Sequence, residues 1–291
     1  MPIAAVLLIL GSSVLHAGWN VLLKRADNKL AFTVLYVSIQ PLYMLPYVVA
    51  VSPWAEISVR GWLCVLAAGV VYAAYYEALA RGYARGELSV VYPVARGIGP
   101  ALAFLLGIVF LNESPTLFGT FGVGFILLGV YALHRRALRV ELHTPGAAAA
   151  LRIAVLVGVT YSVYSLVDKT GVSSLGIHPV VYYCLASVAA VMFVGPRVLW
   201  VAGWTAVADE WRRNARVCIA VAGLNLASYL LVLYALTMPD TPIGYVVPLR
   251  ATSGLIAVFV GASVLQEGDL GAKLAAAFSM LCGIVFISVK G

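Results

Sequence analysis

The sequence predicts an all-α polytopic membrane protein with ten transmembrane helices, arranged as two inverted five-helix repeats. Three observations carry this prediction. Of 291 residues, 63% are hydrophobic and only 11% charged, with mean hydropathy +0.98, whereas soluble domains are about a quarter charged. Apolar runs close to the roughly 20 residues needed to cross a bilayer recur ten times. The second half of the chain also repeats landmarks of the first at constant spacing.

The runs fall near 2–23, 31–51, 61–80, 88–111, 116–134, 151–169, 178–200, 216–237, 243–265 and 271–289. The first, MPIAAVLLILGSSVLHAGWN, lacks a basic start and a small-x-small cleavage site before Gly18, so it reads as a retained span rather than a signal peptide. On it His16, Asn20 and Lys24 fall at i, i+4 and i+8, with Trp19 alongside. Imidazole and amide groups in lipid need partners, so this stripe is expected to face protein, either as interhelical glue or as cavity lining. Lys24, near the span end, is expected to snorkel toward the headgroups. The third span carries Tyr72, Tyr75, Tyr76 and Glu77, with Tyr72 and Tyr76 sharing a face one turn apart.

The fourth span contains YPVARGIGPALAFLLGIVFLNE, from Tyr92 to Glu113. Its Arg96 stands beside Pro93, Gly97, Gly99 and Pro100, and at membrane depth both the charge and the freed backbone groups need partners. Glu77 is the expected carboxylate partner of Arg96. Glu113, about 25 Å further along a helix, reads as a boundary anchor or a cap on the following helix. In the sixth span Tyr161, Ser165 and Lys169 occupy the stripe matching that of the first, with Tyr164 and Asp168 next to it, and Asp168 and Lys169 at the helix end read as a solvated pair.

The segment RRALRVELHTPGAAAA divides the chain into a first repeat over 1–140, a linker over 141–150 and a second repeat over 151–291. Ala202–Arg216 is the other longer polar stretch. Arg96, Gly107, Glu113 and Gly129 recur as Arg250, Gly261, Glu267 and Gly283, each 154 residues later. A weaker register of 145 sets His16, Trp19, Asn20 and Lys24 against Tyr161, Tyr164, Ser165 and Lys169. Asn225, Ser228 and Tyr229 answer the tyrosines of the third span. Small residues in the stripes Gly122–Ile126–Gly129 and Ala276–Met280–Gly283 predict close helix packing, between the halves or between the protomers of a homodimer.

Five spans per half is an odd number, so the second half must cross the membrane in the opposite sense. Inverted repeats of this kind characterise secondary transporters, whose site lies near the midplane between the halves. Arg96 and Arg250 are the candidate holders of an anionic group, because guanidinium suits bidentate recognition of carboxylate or phosphonate. Tyrosine and amide groups beside them suit a small zwitterion or organic ion. The candidate binding set is therefore His16, Trp19, Asn20, Tyr72, Tyr76, Glu77, Tyr92, Arg96, Tyr161, Tyr164, Ser165, Asn225, Tyr229 and Arg250. No Gly-Lys pair of a phosphate-binding loop occurs, so an ion gradient is expected to supply the work. H⁺ is the candidate coupling ion, with His16, Glu77 and Asp168 as its titratable candidates.

Other classes fare worse. Four scattered histidines and few intramembrane acids argue against an enzyme and against a metal site, and no cofactor is expected. Cys64, Cys184, Cys218 and Cys282 stand singly and read as small buried residues. The net charge of +7 lies largely in the gaps between spans, which serves topology and lipid headgroups rather than nucleic acid. Basic residues concentrate after the odd-numbered spans, so positive-inside counting places both termini outside the cytoplasm.

HAGWNVLLK, YPVARGIGP and a glycine-rich helix after LNE, with YALTMPDTPIGYVVPLR and VLQE in the second half, resemble the EamA family of the drug/metabolite transporter superfamily. The resemblance covers nearly the whole chain. It implies a ten-helix secondary transporter in a bacterial inner membrane, often an exporter of amino acids or other small metabolites, with termini inside. HAGWN also resembles a branch associated with phosphonate utilisation, and some relatives resemble flippases for lipid-linked compounds. The second half departs from the pattern where Arg-Gly-x-Gly-Pro becomes Arg-Ala-Thr-Ser-Gly, so the two sides of a cavity should differ chemically.

Overall fold

A computed structural model describes residues 1–23, 26–84, 88–141, 147–255 and 270–290. Among them are nine α-helices and no strand: α1 (Ile3–Leu23), α2 (Lys29–Val51), α3 (Val59–Ala84), α4 (Leu88–Leu111), α5 (Leu117–Glu141), α6 (Ala147–Lys169), α7 (Pro179–Thr237), α8 (Ile243–Ala251) and α9 (Leu270–Lys290). Seven of these, α1 to α7, are long and apolar enough to cross a membrane. Large apolar side chains point outward, with Leu63, Phe110, Trp200 and Phe278 at 62–80% exposed, while Ser12, Ser13, Gln40 and Ser228 are fully buried. That inside-out distribution suits lipid as solvent, where buried polar groups join helices to one another. The chain is a multi-pass membrane protein.

The expected spans 178–200 and 216–237 and the polar stretch between them form one helical run of 59 residues, α7. A straight helix of that length would reach about 90 Å, three times a bilayer core. It is not straight. Gly203 (φ 81°, ψ 154°) and Asn214 leave helical geometry, and Gly203 can do so because it has no β-carbon to clash. Tyr183 and Asn225 both hydrogen-bond the Gln40 side chain, at 3.2 and 2.6 Å, so the two arms fold back on each other. The connector, expected as a loop, is helical because Thr205–Arg213 is rich in Ala, Glu, Trp and Arg, which are tolerated or favoured in helix. The expected span 243–265 begins as α8 and is described only to Leu255. Gly261 and Glu267, like Lys24 and its snorkelling, lie outside the described residues.

Helix ends are tied by side chains. Asn28 caps α2 through Oδ1, which accepts from the Leu30 and Ala31 amides at 3.1 and 3.0 Å. Glu210, 2% exposed, accepts from the Asp27 and Asn28 amides at 3.3 and 2.8 Å, fastening the α1–α2 turn to the connector of α7. Glu113 neither anchors its own helix nor caps the following one. Its carboxylate accepts from the Ile243 and Gly244 amides at 2.7 and 3.2 Å, capping α8 instead. The two oxygens thus answer two free N–H groups at the positive end of a helix dipole.

The small-residue stripes are consumed within the chain. A β-carbon on Gly122 would lie 2.9 Å from the Gly283 carbonyl, and one on Gly129 would lie 2.9 Å from that of Ala276. Helices α5 and α9 therefore touch backbone to backbone.

Candidate functional site

Helices α1, α2, α3, α4, α6, α7 and α8 enclose a cavity with about 970 Å³ of empty space, mouth included. Of the candidate residues, His16, Trp19, Asn20, Tyr72, Tyr76, Arg96, Tyr161, Tyr164, Asn225, Tyr229 and Arg250 line it. Close approach of α4 to α6 is possible because Gly99 carries no side chain under the Tyr161 ring, and Ser162 Oγ donates to the Gly99 carbonyl at 2.8 Å.

The two arginines meet at one imidazole. Arg96 Nη2 lies 2.8 Å from His16 Nε2, and Arg250 Nη2 lies 3.4 Å from His16 Nδ1. Guanidinium only donates, and a neutral imidazole accepts through one nitrogen. The shorter contact is thus the hydrogen bond, and Arg250 faces the N–H side of the ring. Arg96 also donates to Ser253 Oγ at 2.6 Å and to the Ala251 carbonyl at 3.3 Å. Arg250, 6% exposed, stacks over the Tyr229 ring at 4.9 Å, and its Nε has no hydrogen-bond partner among the described residues. No carboxylate lines the cavity among the described residues, although two guanidinium groups do. The site is electropositive and under-satisfied.

Aromatic rings form most of the remaining wall. Tyr75, Tyr161 and Tyr164 pack at 5.1–6.4 Å between centroids, and Tyr36 meets Trp19 and Tyr76 at 6.1 and 6.4 Å. Trp19 is 4% exposed, and Asn20 Nδ2 donates to its own helix at the His16 carbonyl, 2.6 Å away.

Three expectations are corrected. Glu77 is not the partner of Arg96: it pairs with Arg81 one turn along α3 and with Arg197 on α7, at the membrane edge rather than in the cavity. Arg96 is turned instead toward His16 on α1 and toward Ala251 and Ser253 at the end of α8. Ser165 Oγ donates back to the Tyr161 carbonyl at 2.8 Å and borders a separate, smaller cavity. Asp168 is no solvated partner of Lys169. It is fully buried and accepts from the hydroxyls of Tyr72 (2.7 Å), Tyr182 (2.9 Å) and Tyr229. Lys169 Nζ donates instead to the carbonyls of Leu236 and Thr241 at 2.9 and 3.1 Å, at the end of α7. The side chain of Tyr92 lies outside the described residues.

Sequence reasoning missed Gln40, Tyr36, Tyr183 and Tyr182. A glutamine between Ile39 and Pro41 in a largely apolar span was a usable signal for Gln40, and the adjacent Tyr182-Tyr183 pair was another.

Residues 3–135 match the family model of the EamA-like transporter family. Through that segment, just under half of the chain, it is similar to the EamA-like transporter family. No curated protein matches it. A solved crystal structure, described only as that of a protein, shares the fold at TM-score 0.74 and 15% identity, covering 99% of this chain and 98% of its own. The EamA-like segment ends near the middle of the chain, yet the structural match extends through both halves. Its residues contribute His16, Trp19, Asn20, Tyr72, Tyr76 and Arg96 to the cavity, and Arg250 and Tyr229 arrive from beyond it.

Proposed function

We propose that this EamA-like protein is a secondary active transporter of a small organic anion or zwitterion, such as an amino acid or phosphonate, working by alternating access between two inverted five-helix repeats. The observation that carries the reading is Arg250: a buried guanidinium with an unpartnered Nε, facing Arg96 across His16 in a cavity without an acidic wall residue among those described. A buried charge left this way is costly unless an anion completes it. The 154-residue register supports the inverted arrangement, since Arg96 and Arg250 reach opposite nitrogens of a single ring.

A cavity walled by tyrosine, amide and guanidinium groups favours a small solute over a lipid-linked one. The family resemblance makes export the direction to test first. Purified protein would be heated with acetate, methylphosphonate, glutamate, 2-aminoethylphosphonate and simple amines. Anions and zwitterions are expected to raise the unfolding temperature, and Arg96→Gln and Arg250→Gln to abolish that shift. Stabilisation by amines alone, or stabilisation untouched by both substitutions, would overturn the proposal. Uptake into proteoliposomes with either orientation of ion gradient then gives direction.

A further inference from the structure

Beside the main cavity lies a much smaller one, with about 260 Å³ of empty space when its open side is included, bordered by Asp168, Ser165, Val246 and Val247. Tyr161, Tyr229 and Arg250 line both cavities and so form the partition between them. Asp168 sits on the far side of that partition. It is fully buried on α6, yet two of its three tyrosine partners, Tyr72 and Tyr229, belong to the wall of the main cavity. The third, Tyr182, reaches it because Gly171, in the π-helical turn Thr170–Ser174, leaves room for the Tyr182 ring.

A buried carboxylate used only as an anchor needs neither a cavity beside it nor a connection to the binding site. Asp168 borders the smaller cavity and reaches the wall of the main one through Tyr72 and Tyr229. We propose that Asp168 is a proton-binding site linked to the anion site, so that a proton on its carboxyl and an anion on Arg250 are carried together. The inference rests on the anion site proposed above.

The chemistry follows from the hydrogen bonds. As a carboxylate, Asp168 accepts from three phenols and has no O–H to donate. When a proton from the smaller cavity adds to a carboxylate oxygen, the new acid O–H must donate, and one phenol must give up its own donation to accept it. Tyr229 is placed for this: its ring carries Arg250, and its hydroxyl lies 3.5 Å from that of Tyr72. Released from Asp168, the Tyr229 hydroxyl can turn toward an anion on Arg250. Electrostatics act in the same direction, because an anion on Arg250 cancels a positive charge that acts on Asp168 and repels a second negative charge. Linkage then requires that proton and anion favour each other equally. The other titratable or charged groups around Asp168 are Cys64 and Tyr72 on α3, Tyr182 and Tyr229 on α7, Tyr164 and Lys169 on its own helix, and Arg250 on α8. Lys169 is held at the carbonyls of Leu236 and Thr241.

Infrared difference spectra of the purified protein between pH 5 and 9 would test the site without a substrate. A protonated-carboxyl band that grows on acidification and is missing in Asp168→Asn is expected. In Arg250→Gln, which mimics the anion-neutralised site, the band should appear about 1–3 pH units higher. No titrating band, or one that persists in Asp168→Asn, overturns the proton site. A band unmoved by Arg250→Gln overturns the link. Tyr182→Phe, which removes one donor but keeps the acid, should also move the band, and this holds the test open if Asp168→Asn fails to fold. In lightly buffered solution, binding of acetate, methylphosphonate or glutamate should draw about one proton per anion onto the wild type and none onto Asp168→Asn. If none of these anions binds, the anion site and the link both fall, while the spectra still decide the proton site.

Discussion

Replacing Glu113 by alanine should cost far more than its position at a helix end suggests. Its two oxygens accept from the Ile243 and Gly244 amides at 2.7 and 3.2 Å, the first N–H groups of α8, which carries Arg250. A hydrogen bond to a charged group contributes about 1.5–3 kcal/mol and a helix cap about 0.5–2 kcal/mol. Partial exposure of the loop reduces the sum, so Glu113→Ala is expected to cost about 2–4 kcal/mol. Glu113→Gln keeps one acceptor oxygen and the shape, and should cost about 1 kcal/mol. Gly107 offers an independent handle, because a β-carbon there would lie 2.8 Å from the Glu113 carboxyl carbon and push it off the α8 amides. Gly107→Ala should therefore approach Glu113→Ala in severity, and the double variant should be little worse than either alone, since both remove the same cap. Unfolding in mixed micelles of rising SDS content, followed by tryptophan fluorescence, gives the ranking. Equal stability of Glu113→Ala and wild type, or full additivity with Gly107→Ala, would refute the capping argument.

Other outcomes follow from single contacts. Glu77→Gln should change stability by less than about 1 kcal/mol and leave ligand stabilisation intact, because its ion pairs with Arg81 and Arg197 are part-exposed at the membrane edge; lost binding in the thermal assay would return Glu77 to the cavity. Gly129→Leu should separate α5 from α9 and sharply lower the SDS midpoint, since its side chain would enter the Ala276 backbone. Gln40→Leu leaves Asn225 and Tyr183 without their shared partner and should cost about 1–3 kcal/mol in the same assay.

Much of this architecture was legible because lipid imposes simple rules. Runs of about 20 apolar residues, the Arg96/Arg250 register and the His16–Asn20 stripe all reflect local spacing, and spacing survives folding. What failed depended on partners. Glu77 was paired with Arg96 by sequence proximity, but the rotation of α4 aims Arg96 at His16 and Ser253. Asp168 looked solvated from its place beside Lys169, because nothing local shows that α3 and both arms of α7 each send a tyrosine to it. The helical connector of α7 was mistaken for a loop because polarity marks exposure to water, not absence of helix. Glu113 was correctly taken as a helix-end residue, but the helix it caps is 130 residues away.

The Glu210 fastening bears on how the chain is inserted. Glu210 holds the Asp27 and Asn28 amides, and Arg213 pairs with Asp27 at 3.4 Å. The α1–α2 turn and the arginine-rich elbow of α7 must therefore emerge on the same face of the membrane before either is satisfied. A chain whose halves were threaded with mismatched sidedness would strand a carboxylate and two amides. The first turn of the chain is therefore satisfied only by an elbow made 182 residues later.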